Sequence, residues 1–289
     1  MSIIPMTTYL FINPCSGRYD QSRISTIIKR LHDAGLSPRA CTVTEPYIFQ
    51  NINDSDERPL VIVAAGDGTI NAVVNGLNPD SATLAILPMG TSNVLASELG
   101  IQSVDDGICR IIAGTTRSFS VGVLELELGS RRFVLMAGIG FDGAVVRDVW
   151  LPGKRLLRQG AYAISALRNC LSWDKSQIEL QTSGRTIQCH SVIICNASRY
   201  GGSFILAPEG SVLSPGLTAI CVQKNSRRTY LQLACELFLG RIAASRTAIR
   251  IPVDGCEIRG VKPLQIDGDF IGYSPARVTT LADFALVIV

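Results

Sequence analysis

The residues best suited to chemistry form a short loop after an apolar stretch in the first quarter of the chain. The loop contains Gly66, Asp67, Gly68, Thr69 and Asn71. Apolar residues recur after it at spacings of three and four, as on one face of a helix. A strand that turns into a helix N-terminus offers backbone N–H groups and a positive dipole end to an anion. The glycines predict positive φ and close approach to a ligand. The loop is therefore a candidate phosphate site.

An acidic residue inside a phosphate-binding loop needs an explanation, because a carboxylate repels phosphate. Asp67 fits such a loop if a divalent cation lies between the carboxylate and the phosphate oxygens. We therefore take Asp67 as a candidate metal ligand. The alternative is an ordinary strand-to-helix turn, and this loop alone does not decide between the two.

Two further loops of similar composition follow the apolar strands predicted at Thr7–Ile12 and Thr83–Leu87. Their candidate ligand-binding residues are Asn13, Ser16, Gly17, Gly90, Thr91 and Asn93. Ligands of parallel α/β sheets bind at the carboxyl ends of the strands. Three such loops at one sheet edge favour a shared ligand site over three unrelated turns.

A pair of carboxylates near the end of the chain suits proton transfer. Asp267 and Asp269 flank Gly268 within the apolar run Leu264–Ile271. On a regular strand the two carboxylates would share a face, whereas a turn at Gly268 would redirect them. A carboxylate close to a hydroxyl group accepts its proton. The alternative is a solvated β-turn, which is the better interpretation of an isolated Asp-Gly-Asp.

The order of predicted elements divides the chain into two domains. Strands alternate with helices up to about residue 117, which predicts a helix-covered parallel sheet. Mostly antiparallel strands follow, including Thr186–Cys195, and predict a two-layer β domain. We expect an α/β domain over residues 1–120 and a β domain over residues 121–289. The last strand, 283–289, either stays in the second domain or returns to the first.

Composition excludes several classes of protein. The net charge of +3 is too small to indicate nucleic-acid binding. No apolar run approaches the about 18 residues of a membrane span, and the N-terminus lacks the features of a signal peptide. Nine scattered cysteines predict buried thiols in a reducing compartment, and hence a cytoplasmic protein. The sequence contains two histidines, His32 and His190, which disfavours a zinc site or a Ser-His-Asp triad.

One stretch mixes apolar and basic residues. Lys154 and Arg155 lie among Trp150, Leu151 and Leu156. Such a mixture suits peripheral contact with an anionic membrane surface. Solvated basic residues beside core leucines explain it equally well.

Taken in order, the motifs resemble the diacylglycerol kinase catalytic family, in particular its bacterial soluble lipid kinases. Sphingosine and ceramide kinases are related to this family. The three loops and the Asp267 motif carry the resemblance, together with three further motifs: Ala137-Gly138-Ile139-Gly140-Phe141-Asp142, Asn196 with Gly201-Gly202, and Ala207-Pro208. The ordered set covers essentially the whole chain.

The resemblance implies an ATP- and Mg²⁺-dependent kinase that phosphorylates the hydroxyl group of a diacylglycerol-like or sphingoid-like lipid. It implies a three-layer α/β domain similar to NAD kinase and phosphofructokinase, a β-sandwich domain, and a cleft between them. Asp267 matches the family's general base, and Asp269 stands where the family usually has glutamate. By position, the residues around the nucleotide are Asn13, Ser16, Gly17, Gly66, Asp67, Gly68, Thr69, Asn71, Gly90, Thr91 and Asn93.

The sequence departs from the family at several positions and leaves alternatives open. Ala65 replaces a glycine, and aspartates are absent at Val94 and near Ser120. Leu213-Ser214-Pro215-Gly216 stands where the family often has Leu-Asp-Asp-Gly, so the sequence leaves open whether a structural metal is bound near residues 207–216. A kinase of a soluble compound such as NAD and a non-catalytic nucleotide- or lipid-binding protein remain alternatives. The lipid acceptor and the choice between monomer and homodimer stay open.

Overall fold

The computed structural model describes residues 7–14, 19–55, 57–149, 159–202 and 204–289. The chain forms two compact units. Unit 1 contains the residues up to Ser120 together with Ala282–Val289, and unit 2 contains Val121–Leu281. The stretch Trp150–Leu157, predicted as a membrane contact, lies outside the described residues.

The helices and strands have the following bounds. The helices are α1 (Gln21–Asp33), α2 (Pro46–Asn53), α3 (Asp67–Gly76), α4 (Val94–Glu98), α5 (Val104–Ala113), α6 (Phe141–Arg147), α7 (Gln159–Leu171) and α8 (Arg227–Phe238). The strands are β1 (Thr8–Ile12), β2 (Arg39–Cys41), β3 (Leu60–Ala65), β4 (Thr83–Pro88), β5 (Thr116–Leu126), β6 (Gly129–Phe133), β7 (Met136–Ile139), β8 (Ile178–Thr182), β9 (Arg185–Cys189), β10 (Ser191–Cys195), β11 (Arg199–Tyr200), β12 (Phe204–Ile205), β13 (Leu217–Val222), β14 (Ile249–Val253), β15 (Gly255–Arg259), β16 (Pro263–Ile266), β17 (Asp269–Tyr273) and β18 (Ala276–Ile288).

Unit 1 is a parallel sheet with helices. Its strand order is β2-β1-β3-β4-β18, and parallel pairing places Leu10 beside Ile62 and Ile62 beside Ala85. Helix α1 begins at the cap Asp20, whose carboxylate accepts a hydrogen bond from the Ser22 N–H. The apolar face of α1 packs on the sheet, and apolar residues of the helix and of the strands form one buried cluster. The predicted α/β architecture is confirmed.

Unit 2 is built from antiparallel strands in two layers. One sheet has the order β14-β13-β10-β7-β16-β17, and the other contains β18-β15-β8-β9 together with the β5–β6 pair. Side chains from both layers share one buried core, as Leu180 and Val278 do with Ala219 and Leu264. The predicted β-sandwich is confirmed. In the described residues, no helix is long and apolar enough to cross a membrane.

The single strand predicted over Thr186–Cys195 is wrong, because the chain changes sheets at His190. Strand β9 pairs with β8 in one layer, and β10 pairs with β7 and β13 in the other. The buried His190 ring marks the crossing. Its Nδ1 lies 2.7 Å from the Tyr230 hydroxyl, and its Nε2 lies 2.8 Å from the Asp174 carbonyl oxygen. Burial lowers the pKa of His190, which favours the neutral ring.

A buried lysine beside this crossing is neutralised by one carboxylate. The Lys262 side chain is 1% exposed, and its Nζ donates to Asp174 Oδ2 at 2.5 Å. Burial acts to raise the pKa of Asp174, but hydrogen bonds from Lys262 and Ser176 outweigh it and hold the pKa at about 2. An ammonium group left alone in this position would be costly.

We therefore expect Asp174→Asn to lower the free energy of unfolding by about 2 kcal/mol at pH 7. The loss should be smaller than for a fully buried pair, because the Asp174 side chain is half exposed. A depressed carboxyl pKa stabilises the fold above about pH 4, and this contribution is lost as the pH falls toward about 2. Urea unfolding should therefore show that the difference in the free energy of unfolding between wild type and variant becomes smaller as the pH is lowered.

The control is the double variant Asp174→Asn/Lys262→Met, which should recover most of the loss because no charge is left buried. A gap that stays constant with pH would contradict the assigned ion pair.

Candidate functional site

The loops of unit 1 meet at the carboxyl edge of its parallel sheet. Strands β1, β3 and β4 are neighbours, and each is followed by one predicted loop. The Asn13 side chain, directly after β1, donates a hydrogen bond to Thr69 Oγ1 at 3.0 Å. Thr69 is buried in the first turn of α3. The first and second loops are therefore in direct contact. Ser16 and Gly17 lie outside the described residues.

The second and third loops pack glycine on glycine. A Cβ added to Gly90 would lie 2.4 Å from Gly66 Cα and 2.8 Å from Asn93 Oδ1. The predicted positive φ at 66 and 68 is wrong: φ is −97° at Gly66, and Gly68 is not in the left-handed region either. Glycine is required at positions 66 and 90 because the two backbones pack against each other, and not because either residue needs a positive φ.

The Asp67 carboxylate connects the second loop to α4. Its Oδ2 accepts from the Val94 N–H at 3.0 Å, and its Oδ1 accepts from the Leu95 N–H at 3.0 Å. These are the first amides of the helix, where a negative charge is favourable. Val94 is buried, and its backbone N–H is one of these two donors to Asp67. Ala65 fits the end of β3 as a buried residue paired with Pro88.

Asn93 fixes the third loop through its own backbone. It has φ of 47°, its Oδ1 accepts from the Gly90 N–H at 2.7 Å, and its Nδ2 donates to the Gly90 carbonyl at 3.1 Å. Thr91 is exposed within the same loop. Asn71 lies one turn into α3, and both its carbonyl and its Oδ1 accept from Asn75 Nδ2.

The donor set of this edge fits a phosphate group accompanied by Mg²⁺. The first amides of α3 point out of the helix end, as anion-binding amides do. The described part of the chain has no cluster of three or more His, Cys, Asp or Glu side chains that could hold a metal ion. Mg²⁺ is commonly held by one or two carboxylates together with substrate phosphates. Asp67 alone could therefore serve, since its two amide bonds use half of a carboxylate's about four acceptor positions.

In unit 2, Asp267 and Gly268 form the two-residue loop of a hairpin. Strand β16 ends at Ile266, β17 begins at Asp269, and these two residues pair. The φ values are 48° at Asp267 and 90° at Gly268. Two-residue hairpin loops with a type I′ turn require a positive φ at both residues. The run Leu264–Ile271 is therefore two strands joined by a turn at Gly268, which is one of the two arrangements that the sequence left open. Asp269 is exposed at the start of β17.

The Asp267 carboxylate reaches three consecutive backbone amides that lead into β7. It accepts from the N–H groups of Val134 at 2.7 Å, Leu135 at 2.8 Å and Met136 at 3.0 Å. The Asp267 N–H in turn donates to the Met136 carbonyl at 3.0 Å. Three N–H donors favour the ionised carboxylate. The three hydrogen bonds therefore hold the side chain in one orientation.

A series of buried hydrogen bonds, to which no sequence motif pointed, holds the other half of this turn. Asp142 Oδ1 accepts from the Tyr200 hydroxyl at 2.5 Å, and its Oδ2 accepts from Gln265 Nε2 at 2.6 Å. Gln265 Oε1 then accepts from the Gly268 N–H at 2.8 Å. Burial raises the pKa of Asp142 despite these hydrogen bonds, which act to lower it. These hydrogen bonds fix the orientation of the Gln265 amide, and the Gln265 amide in turn fixes the position of the turn.

Two glycines, one in β7 and one in α6, make room for these hydrogen bonds. A Cβ on Gly138 would lie 1.9 Å from Asp142 Oδ2, and one on Gly143 would lie 2.1 Å from the Pro263 carbonyl oxygen. Strand β7 and α6 therefore approach β16 closely enough for Asp142 to reach Gln265. The motif Ala137–Asp142 was visible in the sequence, but its partner lies 123 residues away and carries no local signal.

The glycine packing gives a direct prediction. Gly90→Ala should lower the free energy of unfolding by about 2–3 kcal/mol, because its Cβ would overlap backbone. Gly68→Ala is the matched control: a Cβ there meets nothing within 4 Å, and alanine favours the helix, so it should be neutral or slightly stabilising. Urea unfolding of the two variants measures the difference. Equal stability would contradict the close approach of the two loops.

Comparison with known proteins identifies both halves of the chain. Residues 7–124 match the family model described as "Diacylglycerol kinase catalytic domain". Residues 136–289 match the model described as "YegS C-terminal NAD kinase beta sandwich-like domain". Together the two matches span the loops of unit 1 and the Asp267 turn of unit 2.

Individual relatives agree with these matches. A diacylglycerol kinase of Bacillus subtilis is 25% identical over 287 residues, covering 94% of this chain and 92% of its own length. A diacylglycerol kinase of Staphylococcus carnosus is 22% identical over 289 residues, covering 94% and 91%. The crystal structure of a diacylglycerol kinase from Bacillus anthracis matches with a TM-score of 0.70 at 17% identity, covering 98% and 96%. At that identity the structural match shows the fold alone.

Proposed function

We propose that this chain, which belongs to the diacylglycerol kinase family of lipid kinases, transfers the γ-phosphoryl group of ATP to the hydroxyl group of a lipid. The acceptor we propose is a diacylglycerol-like or sphingoid-like alcohol. The observation that carries the proposal is the meeting of the unit 1 loops through the Asn13–Thr69 hydrogen bond and the Gly66–Gly90 packing.

Unit 1 is proposed to bind the nucleotide. Phosphoryl transfer needs little covalent help from a protein, because most of the catalysis consists of holding the phosphates and offsetting their charge. The amides at the start of α3, the Thr69 hydroxyl and the Asn13 amide are suited to that work. The other proposed nucleotide contacts are Ser16, Gly17, Gly66, Gly68, Asn71, Gly90, Thr91 and Asn93.

Asp67 is the proposed protein ligand of Mg²⁺. When bound, the metal ion would offset the negative charge of the phosphate oxygens. Asp67 is held in one orientation by the Val94 and Leu95 amides, so its carboxylate does not have to be ordered when the nucleotide binds.

Unit 2 is proposed to supply the base. The acceptor hydroxyl oxygen bonds to the γ-phosphorus, the bond to the β–γ bridging oxygen breaks, and ADP leaves. The hydroxyl proton passes to the Asp267 carboxylate, which its three backbone donors hold in one orientation. Gln265 and Asp142 hold the turn from the other side. Asp269 is proposed as an exposed second carboxylate of the same turn.

One observation favours a second candidate, a non-catalytic nucleotide- or lipid-binding protein. Both Asp67 and Asp267 already stabilise backbone, so each has a structural role that requires no chemistry. Transfer of labelled γ-phosphate into purified diacylglycerol and sphingoid bases, presented in nonionic detergent micelles, separates the two candidates.

In that assay we expect Asp267→Asn to lower kcat by at least about 100-fold, because an amide does not accept the proton. Asparagine also places an N–H₂ group among backbone donors, so stability must be measured alongside. Urea unfolding and ATP affinity should change far less than kcat. Asp254→Asn is the matched control and should retain activity within about threefold, because that aspartate is exposed in unit 2 and lies outside the proposed site.

Wild-type rates in Asp267→Asn would remove this carboxylate from the reaction. ATP binding by the wild type without transfer to any acceptor would favour the non-catalytic candidate.

A further inference from the structure

Tyr200 is held in a short β-hairpin of unit 2. Strands β11 and β12 pair Tyr200 with Phe204, and Gly201-Gly202 follows Tyr200 with φ values of 57° and 120°. The Ser198 carbonyl oxygen, just before the hairpin, accepts a hydrogen bond from the Ala207 N–H at 3.1 Å, just after it. The Tyr200 ring packs against a buried apolar cluster of unit 2. The motif that contains the two glycines therefore fixes the position of this ring.

The Tyr200 hydroxyl holds the carboxylate of Asp142. The hydroxyl donates to Asp142 Oδ1 at 2.5 Å. Burial and the nearby Asp142 carboxylate raise the pKa of Tyr200, so the phenol stays protonated and remains a donor. The other carboxylate oxygen, Oδ2, lies against β7, where a Cβ on Gly138 would be 1.9 Å from it. Tyr200 and the backbone of β7 thus hold the carboxylate with Oδ2 facing Gln265.

The orientation of this carboxylate decides the orientation of the Gln265 amide. A side-chain amide has a donor end and an acceptor end, and Asp142 Oδ2 accepts from the donor end, Nε2, at 2.6 Å. The acceptor end, Oε1, is then turned toward the Gly268 N–H at 2.8 Å. If the amide were reversed, two N–H donors would face each other at Gly268 and two oxygens would face each other at Asp142.

Gln265 fixes one of the two peptide planes that flank the Asp267 Cα. The Gly268 N–H belongs to the plane after Asp267, whereas the Asp267 N–H, in the plane before it, donates to the Met136 carbonyl at 3.0 Å. Asp267 has φ of 48°, which is uncommon for residues other than glycine and persists where the surrounding structure enforces it. Without the Gln265 contact, the second plane would be free to rotate and the Asp267 carboxylate would tilt.

We propose that the Tyr200 hydroxyl is a positioning group for the Asp267 carboxylate and acts through Asp142 and Gln265. The inference rests on the proposed function, because it concerns the carboxylate proposed as the base. Three hydrogen bonds in series join Tyr200 to the peptide that follows Asp267. A displacement of about 1 Å at a reacting group can lower a rate by about 100-fold, so a small tilt of the carboxylate is sufficient.

Tyr200→Phe removes the hydroxyl and keeps the ring. In nonionic micelles its kcat should fall by about tenfold or more, because the base is displaced, while the KM for ATP should stay within about twofold. Tyr230→Phe is the matched control, since it removes a buried hydroxyl that is bonded to His190 and Ser191, outside this series. The control should be less stable than wild type in urea but keep kcat within about threefold.

Double variants test whether Tyr200 acts through Gln265 on Asp267. Once Gln265→Met has removed the contact with Gly268, adding Tyr200→Phe should lower kcat no further. The same addition should also have no effect on the residual kcat of Asp267→Asn, which lacks the base. Residues that act independently would give losses that multiply, and multiplied losses in either pair would overturn the proposal.

Hydrogen exchange of single backbone amides, followed by NMR, tests the positioning without turnover. Tyr200→Phe should speed exchange of the Gly268 N–H at least about tenfold, because its acceptor on Gln265 is no longer held. The Ala207 N–H, which reports on the hairpin itself, should exchange as in wild type. Unchanged exchange at Gly268, or equal acceleration at both amides, would overturn the proposal.

These measurements separate the inference from the proposed function. A wild-type kcat in Tyr200→Phe, together with a low kcat in Asp267→Asn, would overturn the inference alone. Absence of phosphoryl transfer by the wild type would contradict the proposed function. Faster exchange at Gly268 in Tyr200→Phe would in that case still support the control of the Asp267 turn by Tyr200.

Discussion

The carboxylate of Asp67 holds the first two amides of α4, and the candidate nucleotide site depends on this contact. It ties the loop after β3 to the helix that follows the loop after β4. Gly66 and Gly90 can then pack backbone on backbone. A phosphate site made of amides from separate strands needs such ties, because the amides must point toward one position to bind one phosphate group.

Unit 2 uses the same device with different partners. Asp267 accepts hydrogen bonds from three consecutive amides that lead into β7. Gln265, which donates to the buried Asp142, accepts from the N–H of Gly268, the next residue of the turn. Both aspartates that chemistry would assign to the reaction thus also stabilise backbone. Changing either one disturbs structure and chemistry together. Only readouts that separate stability, binding and turnover can assign their roles.

Much of this arrangement could be predicted from the sequence because the signals were local. Apolar strands followed by Gly, Ser, Thr and Asn indicated the sheet edge, whereas Asp267-Gly268-Asp269 left a continuous strand and a turn both open. Three features had no local signal. The change of sheet at His190, the 13-residue length of β18 and the Asp142–Gln265 hydrogen bond all depend on strand pairing between distant segments. The positive φ predicted at Gly66 is wrong. Glycine is needed there because the backbone of Gly90, its neighbour in space, leaves no room for a Cβ.

The most direct test of the central claim is the affinity of ATP with and without Mg²⁺, measured by calorimetry for wild type and Asp67→Asn. If the unit 1 loops bind the phosphates and Asp67 holds the metal, Mg²⁺ should strengthen ATP binding to wild type. The variant should lose most of that gain. A variant that binds ATP more weakly but keeps the full gain from Mg²⁺ would show that Asp67 serves α4 alone, and would contradict the account.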